Sequence, residues 1–148
     1  MNLLNVATTL CIGLLIGAEF AVSAFVNPVL FKLSLAARAE ATRFFGRLLG
    51  TVMPFWYIAS LLLLLSETIL HLHKPLIVWL GVAVAFWGAA IALSLVSLVP
   101  INNRLVRMGA DGWTESAQRE QRKWDDLHRV RVLFLGVAMV FFLVGIGM

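Results

Sequence analysis

With 148 residues, 61% hydrophobic and only 14% charged, the chain departs far from soluble domains, which run at about 45–50% apolar and about 25% charged. Its one cysteine, Cys11, excludes an intrachain disulfide, a CxxC redox pair and any multi-cysteine zinc or iron–sulfur site. The net charge of +4 comes from basic residues flanking apolar runs, where they set topology, so it does not point to nucleic acid. No GxGxxG or GxxxxGK[ST] stretch offers a nucleotide cradle.

Four apolar runs, approximately residues 3–26, 51–70, 76–99 and 130–147, each approach the roughly 20 residues that a helix needs to cross a bilayer. The expected fold is all-α, a single integral membrane domain over residues 1–148 built as a bundle of four transmembrane helices. Run one has no positively charged leader and contains Glu19, so it is read as a first membrane helix rather than a cleaved signal. Glu19 sits about ten ångströms inside the end of that run, and a carboxylate at such depth needs a proton, a cation or a metal. Thr8, Glu19 and Ser23 share one face, nearly opposite the small-residue repeat Gly13, Gly17, Ala21. That repeat, and its counterpart Gly81, Ala85, Ala89 in run three, suits close helix packing within the bundle or a homo-oligomer seam.

The first connection opens with Asn27-Pro28, a capping residue followed by proline at a first helical position, and continues with mixed apolar and basic residues to Arg47. This predicts an interfacial amphipathic helix before run two. Beyond run two, Glu67, His71 and His73 precede Lys74-Pro75, three residues that could ligate a metal or simply form a polar loop. Run three ends at Pro100-Ile101-Asn102-Asn103-Arg104, whose amides could cap helix carbonyls or bind a polar ligand in a turn.

Turn signals follow at Gly109 and Asp111-Gly112, after which no Gly or Pro occurs until past Leu135. Helix four is therefore expected to start near Thr114 and to project from the membrane as a cytoplasmic extension. Glu115 with Arg119, Arg122 with Asp126 and Asp125 with Arg129 stand at helical spacing for ion pairs. Trp124, His128 and Arg131 share one narrow face where this helix enters the membrane. Arg131 is the natural counter-charge for Glu19, and His128 a candidate acid, base or ligand. Lys32, Arg38, Arg43 and Arg47 occupy the first connection, Lys74 alone the second, and the remaining basic residues, Arg104 to Arg131, the third. The positive-inside rule then places both termini outward and the two basic loops in the cytoplasm.

Four membrane helices in about 150 residues, Gly17 and Asn27-Pro28 near the end of the first, P-x-N-N-R after the third and W-x-x-x-H-R-x-R opening the fourth resemble the anthrone oxygenase family. These are small membrane proteins named for polyketide-pathway members that convert anthrones to anthraquinones, with many bacterial relatives. The resemblance implies a bacterial inner-membrane monooxygenase acting with O2 on a planar, electron-rich, apolar aromatic, with no flavin or nicotinamide fold. It picks out Asn102, Asn103 and Trp124 for substrate binding and His128 and Arg131, joined here by Glu19, for catalysis. The residues leave the cofactor open: none, or a metal ion or haem on His128 and Glu19. The competing expectation is a non-catalytic membrane subunit or a quinone- or lipid-binding module in which Glu19 and Arg131 pair only structurally.

Overall fold

The computed structural model describes residues 2–108 and 113–147, so the turn signals at Gly109 and Asp111-Gly112 lie outside the described residues. Four long helices carry the chain: α1 (Leu3–Leu30), α2 (Leu35–Leu70), α3 (Ile77–Arg107) and α4 (Glu115–Gly147). Each contains a stretch long and apolar enough to span a bilayer, and no strand occurs among the described residues. The protein is an integral membrane protein by this architecture. Large apolar side chains such as Leu14, Phe55, Val78, Val96 and Leu133 stand exposed along the outer faces, where lipid is the solvent that suits them.

The expected interfacial helix does not form as a separate element. α1 runs through Asn27-Pro28 to Leu30, and α2 begins at Leu35 and continues unbroken to Leu70, so the mixed apolar and basic residues extend two spanning helices. Ser34 caps α2, its side chain accepting from the Ala37 N–H. Likewise Pro100 to Arg104 is not a turn: α3 passes through it to Arg107.

Pro28 and Pro100 are accommodated in mid-helix in the same way, whereas Pro54 sits inside α2 without a wide turn. A proline has no N–H to return to the carbonyl four residues back, and its ring crowds that carbonyl. At Pro28 and Pro100 one wide π-type turn immediately precedes the ring, Val22–Val26 in α1 and Ser94–Leu98 in α3. There the Asn27 N–H reaches back five residues to the Val22 carbonyl, and the Val99 N–H reaches Ser94. Such turns open a helix locally and recur at functional sites.

The core is sealed by Ile12, Leu15, Leu64, Leu80, Trp87, Leu135 and Phe142, with α3 and α4 forming the most extensive pairing. α2 and α3 approach most tightly at Gly46. A Cβ there would lie 2.6 Å from Val106 Cγ2 and 2.8 Å from Asn102 Oδ1, so any side chain at this position would force Val106 and Asn102 to shift. Gly81, Ala85 and Ala89 lie on the exposed face of α3 and Gly17 on that of α1, so these small residues do not serve packing within the bundle. Of the glycines in these repeats Gly13 is the one that faces a neighbour, Met139 of α4.

Candidate functional site

Glu19 lies on α1 one turn before the first wide turn, 2% exposed, and partners from two other helices converge on its carboxylate. Oε2 accepts from Arg131 Nη2 of α4 at 2.6 Å, and Oε1 accepts from the Tyr57 hydroxyl of α2 at 2.9 Å. Arg131 Nη1 donates to Ser94 Oγ at 3.0 Å, tying α3 in through the first residue of its wide turn. The guanidinium also sits 5.4 Å above the Tyr57 ring. Thus the wide turns do more than accommodate prolines: they place Ser94 and the end of the Glu19 turn around one point.

His128 is 1% exposed, and its two ring nitrogens have unlike neighbours. Nδ1 lies 2.9 Å from Arg131 Nη2, which can only donate, while Nε2 lies 3.1 Å from the Glu19 carbonyl, which can only accept. These partners select the tautomer with the proton on Nε2 and a lone pair on Nδ1. Arg131 Nη2 therefore donates one hydrogen to the carboxylate and the other to the imidazole, and holds the two 3.3 Å apart. Trp124 stacks on His128 with centroids 4.8 Å apart and planes at 12°. One indole face is therefore taken by the histidine, and the buried Trp124 Nε1 has no hydrogen-bond partner among the described residues.

These groups border a cavity of about 290 Å³, lined chiefly by apolar residues of both wide turns and of α2. It includes Glu19, Tyr57, Ser94, Asn102, Trp124, His128 and Arg131, so five of the six residues singled out in the sequence meet there. Asn103 does not: it is exposed and absent from the lining. Asn102 spends one N–H on the Gly46 carbonyl at 3.2 Å, so it pins α2 to α3 as well as facing the cavity.

The end of the cavity nearest the two basic loops, the basic end, is closed by buried polar pairs. Asn27 Nδ2 donates to Asp125 Oδ1 at 2.6 Å, Asp125 Oδ2 accepts from Arg129, and Gln121 bridges from Arg38 to Thr42. Two of the three ion pairs expected on helix four form, Glu115 with Arg119 and Asp125 with Arg129.

The polar face expected on α1 divides between two places. Thr8 meets Glu67 near the opposite end of the bundle, and Ser23 does not line the cavity. Glu67 is fully buried, with His71 Nδ1 3.8 Å from its Oε2 and 2.7 Å from its backbone carbonyl. No group of three His, Cys, Asp or Glu side chains among the described residues is arranged to hold a metal ion. Tyr57, Ser94, Asn27 and Asp125 are the site residues that sequence reasoning missed. Tyr57 carried a usable signal, as the only tyrosine of the chain in the middle of an apolar run.

Residues 41–141, more than half of the chain and the stretch holding Tyr57, Ser94, Asn102, Trp124, His128 and Arg131, match the sequence profile described as anthrone oxygenase. The chain belongs to the anthrone oxygenase family. No curated protein and no solved structure matches it. Glu19 and Asn27 lie before the matched stretch, so the anthrone oxygenase profile covers the α2, α3 and α4 walls of the cavity while α1 supplies the carboxylate.

Proposed function

We propose that this protein is a membrane monooxygenase that oxidises a planar, electron-rich aromatic ketone of the anthrone type with O2 inside the cavity. The observation that carries the reading is a buried Glu19 carboxylate held by Arg131 at the wall of an apolar cavity, in a chain of the anthrone oxygenase family. The volume of about 290 Å³ falls just below the roughly 300–1,000 Å³ typical of ligand pockets, which suits a small ligand of a few fused rings.

In this reading Glu19 is the base. It takes a proton from the ring CH2 opposite the substrate carbonyl, and the electron pair left behind delocalises onto that carbonyl oxygen as an aryl oxyanion. Arg131 and the Tyr57 hydroxyl, which border the cavity, are the groups that would stabilise the developing negative charge, and the apolar walls would strengthen their effect. The carbanion gives its electrons to O2, a C–O bond forms, and the resulting hydroperoxide loses water to leave a second carbonyl. The sum is CH2 plus O2 giving C=O plus H2O, with no further reductant. His128, with both nitrogens engaged, orients Arg131 and the Glu19 backbone and does not act as a second base. A metal or haem ligated by His128 would first have to displace Arg131 or the Glu19 carbonyl. By the positive-inside rule the basic end faces the cytoplasm, in a bacterial inner membrane.

The test is O2 uptake and anthraquinone formation from anthrone by the protein purified in detergent, with Glu19→Gln and His128→Ala alongside. Turnover by the wild type that is lost in Glu19→Gln and weakened in His128→Ala is expected. Equal turnover in all three would remove the reading. The competing reading, a quinone-binding module without catalysis, draws on the same apolar lining and would show as anthraquinone binding without O2 uptake.

A further inference from the structure

The cavity is closed toward water and open toward lipid, and the contrast can be read residue by residue. At the basic end Asn27, Arg38, Gln121 and Asp125 are all at most 7% exposed and hydrogen-bonded to one another or to neighbours. Along the side, the lining residues that are also exposed are Phe45, Gly50, Pro54, Ile58, Leu95 and Val99. All of them belong to α2 or α3; none is on α1 or α4. The cavity is partly open to the outer surface, and these residues, which line it and are themselves exposed, border that opening.

The opening is framed by two ties between α2 and α3. One is the Asn102 side chain on the Gly46 carbonyl, at the close crossing of the two helices; the other is Trp87 Nε1 donating to the Tyr57 carbonyl at 3.2 Å. Eleven residues of α2 separate them, roughly 16 Å at the helical rise. Within that stretch Gly50 has no side chain to fill the gap, and Pro54 leaves the Gly50 carbonyl without its usual N–H partner at the rim.

We infer that the substrate reaches Glu19 sideways from the bilayer, through a window between α2 and α3 rimmed by Ile58, Leu95 and Val99, and that the substrate class is therefore a membrane-dissolved planar aromatic rather than a water-soluble conjugate. This rests on the proposed function for the nature of the ligand, though the window itself follows from burial and exposure. The rim residues act on access: they set which molecules pass and how fast, not the chemistry at Glu19.

The experiment measures the association rate constant of dihydroxyanthraquinone with the protein in lipid nanodiscs, followed by the ligand's own fluorescence, with anthrone turnover measured in parallel. Ile58→Trp/Leu95→Trp narrows the window, with either single variant carrying the test where the double variant fails to assemble. Leu133→Trp, on an exposed face of α4 outside the lining, is the control, and Asn27→Ala/Gln121→Ala loosens the polar floor. The window predicts at least a tenfold slower association in the Trp pair, the control within threefold of wild type and no faster association in the floor variant. Unchanged association in the Trp pair, or faster association when the floor is loosened, overturns it in favour of access from water. Association that responds to the rim without any anthrone turnover supports the window and removes the oxygenase reading; no binding by the wild type removes both.

Discussion

Two buried glutamates divide the work of the α1–α2 pair, and their surroundings differ in kind. Glu19 is held by an arginine, a tyrosine hydroxyl and the neighbourhood of a histidine from α2 and α4, and it borders a cavity. Glu67, just as buried, is met by neutral donors: Thr8 at 3.5 Å and, in the amide orientation that satisfies both groups, Asn5 at 3.0 Å, with His71 further off. It lies outside the cavity. Between the two, Ile12, Leu15 and Leu64 pack almost without exposure, and the polar contacts across that layer are Cys11 Sγ with Ser60 Oγ at 3.4 Å and Trp56 Nε1 donating to the Cys11 carbonyl at 3.0 Å. A buried carboxylate in a membrane is a functional candidate by default, but only one of these has both a permanent counter-charge and space beside it. Burial alone does not mark a reactive group; a fixed cation next to an open volume does.

The largest effect should come from removing that cation. Arg131→Met leaves a carboxylate in the core without its partner, a change that typically costs about 3–5 kcal/mol. Unfolding in detergent should shift by that amount and anthrone turnover should vanish. A loss below about 1 kcal/mol would mean that Glu19 is neutralised by a proton instead, and the contrast with Glu67 would collapse. Next comes Glu19→Gln, which keeps an acceptor for Tyr57 and removes the base. General-base loss corresponds to a drop of about 10²–10⁴-fold in kcat, with helicity and elution volume retained.

Much of this contrast was legible in the sequence, and the reasons for what was not are specific. Glu19, Arg131, Trp124 and His128 stood out because ionisable or amphipathic side chains inside apolar runs are costly, and helical spacing put the last three on one face. The four spanning helices followed from run length, and α4 begins at Glu115, one residue from the expected Thr114. The prolines misled. Asn27-Pro28 and Pro100 carry the signals of a helix start and a turn, yet each lies within a continuous helix just after one widened turn, and Pro54 is carried within α2 without one. No sequence rule separates a proline that ends a helix from one preceded by a wide turn. Glu67 was read with His71 and His73 as a loop-side cluster, since periodicity gives the face of a residue and not which helix that face meets. The same limit hid Tyr57 and Ser94, whose roles exist only where helices distant in sequence converge.

A smaller effect is expected at Tyr57. Tyr57→Phe removes one hydrogen bond to Glu19 while keeping the ring packed against Trp87, so the loss in kcat should be about fivefold, in line with about 1 kcal/mol for such a bond. A loss as large as that of Glu19→Gln would make the hydroxyl part of the proton transfer itself and enlarge the reactive set to include α2.

The smallest effect, and the one that tests the comparison from its other side, belongs to Glu67→Gln. The substituted amide keeps an oxygen for Asn5 and Thr8, and no cation is stranded because none is within 3.5 Å of the carboxylate. Stability should therefore change by no more than about 1 kcal/mol, the scale of a single neutral hydrogen bond. Turnover should stay within threefold of wild type, since roughly 15 Å of helix separates Glu67 from Tyr57 and the layer between is apolar. If turnover instead falls as far as in Glu19→Gln, the two carboxylates are coupled across that layer. The side-chain contact of Cys11 with Ser60, which lies in that layer, would then be the connection, and Ser60→Ala should reproduce the loss.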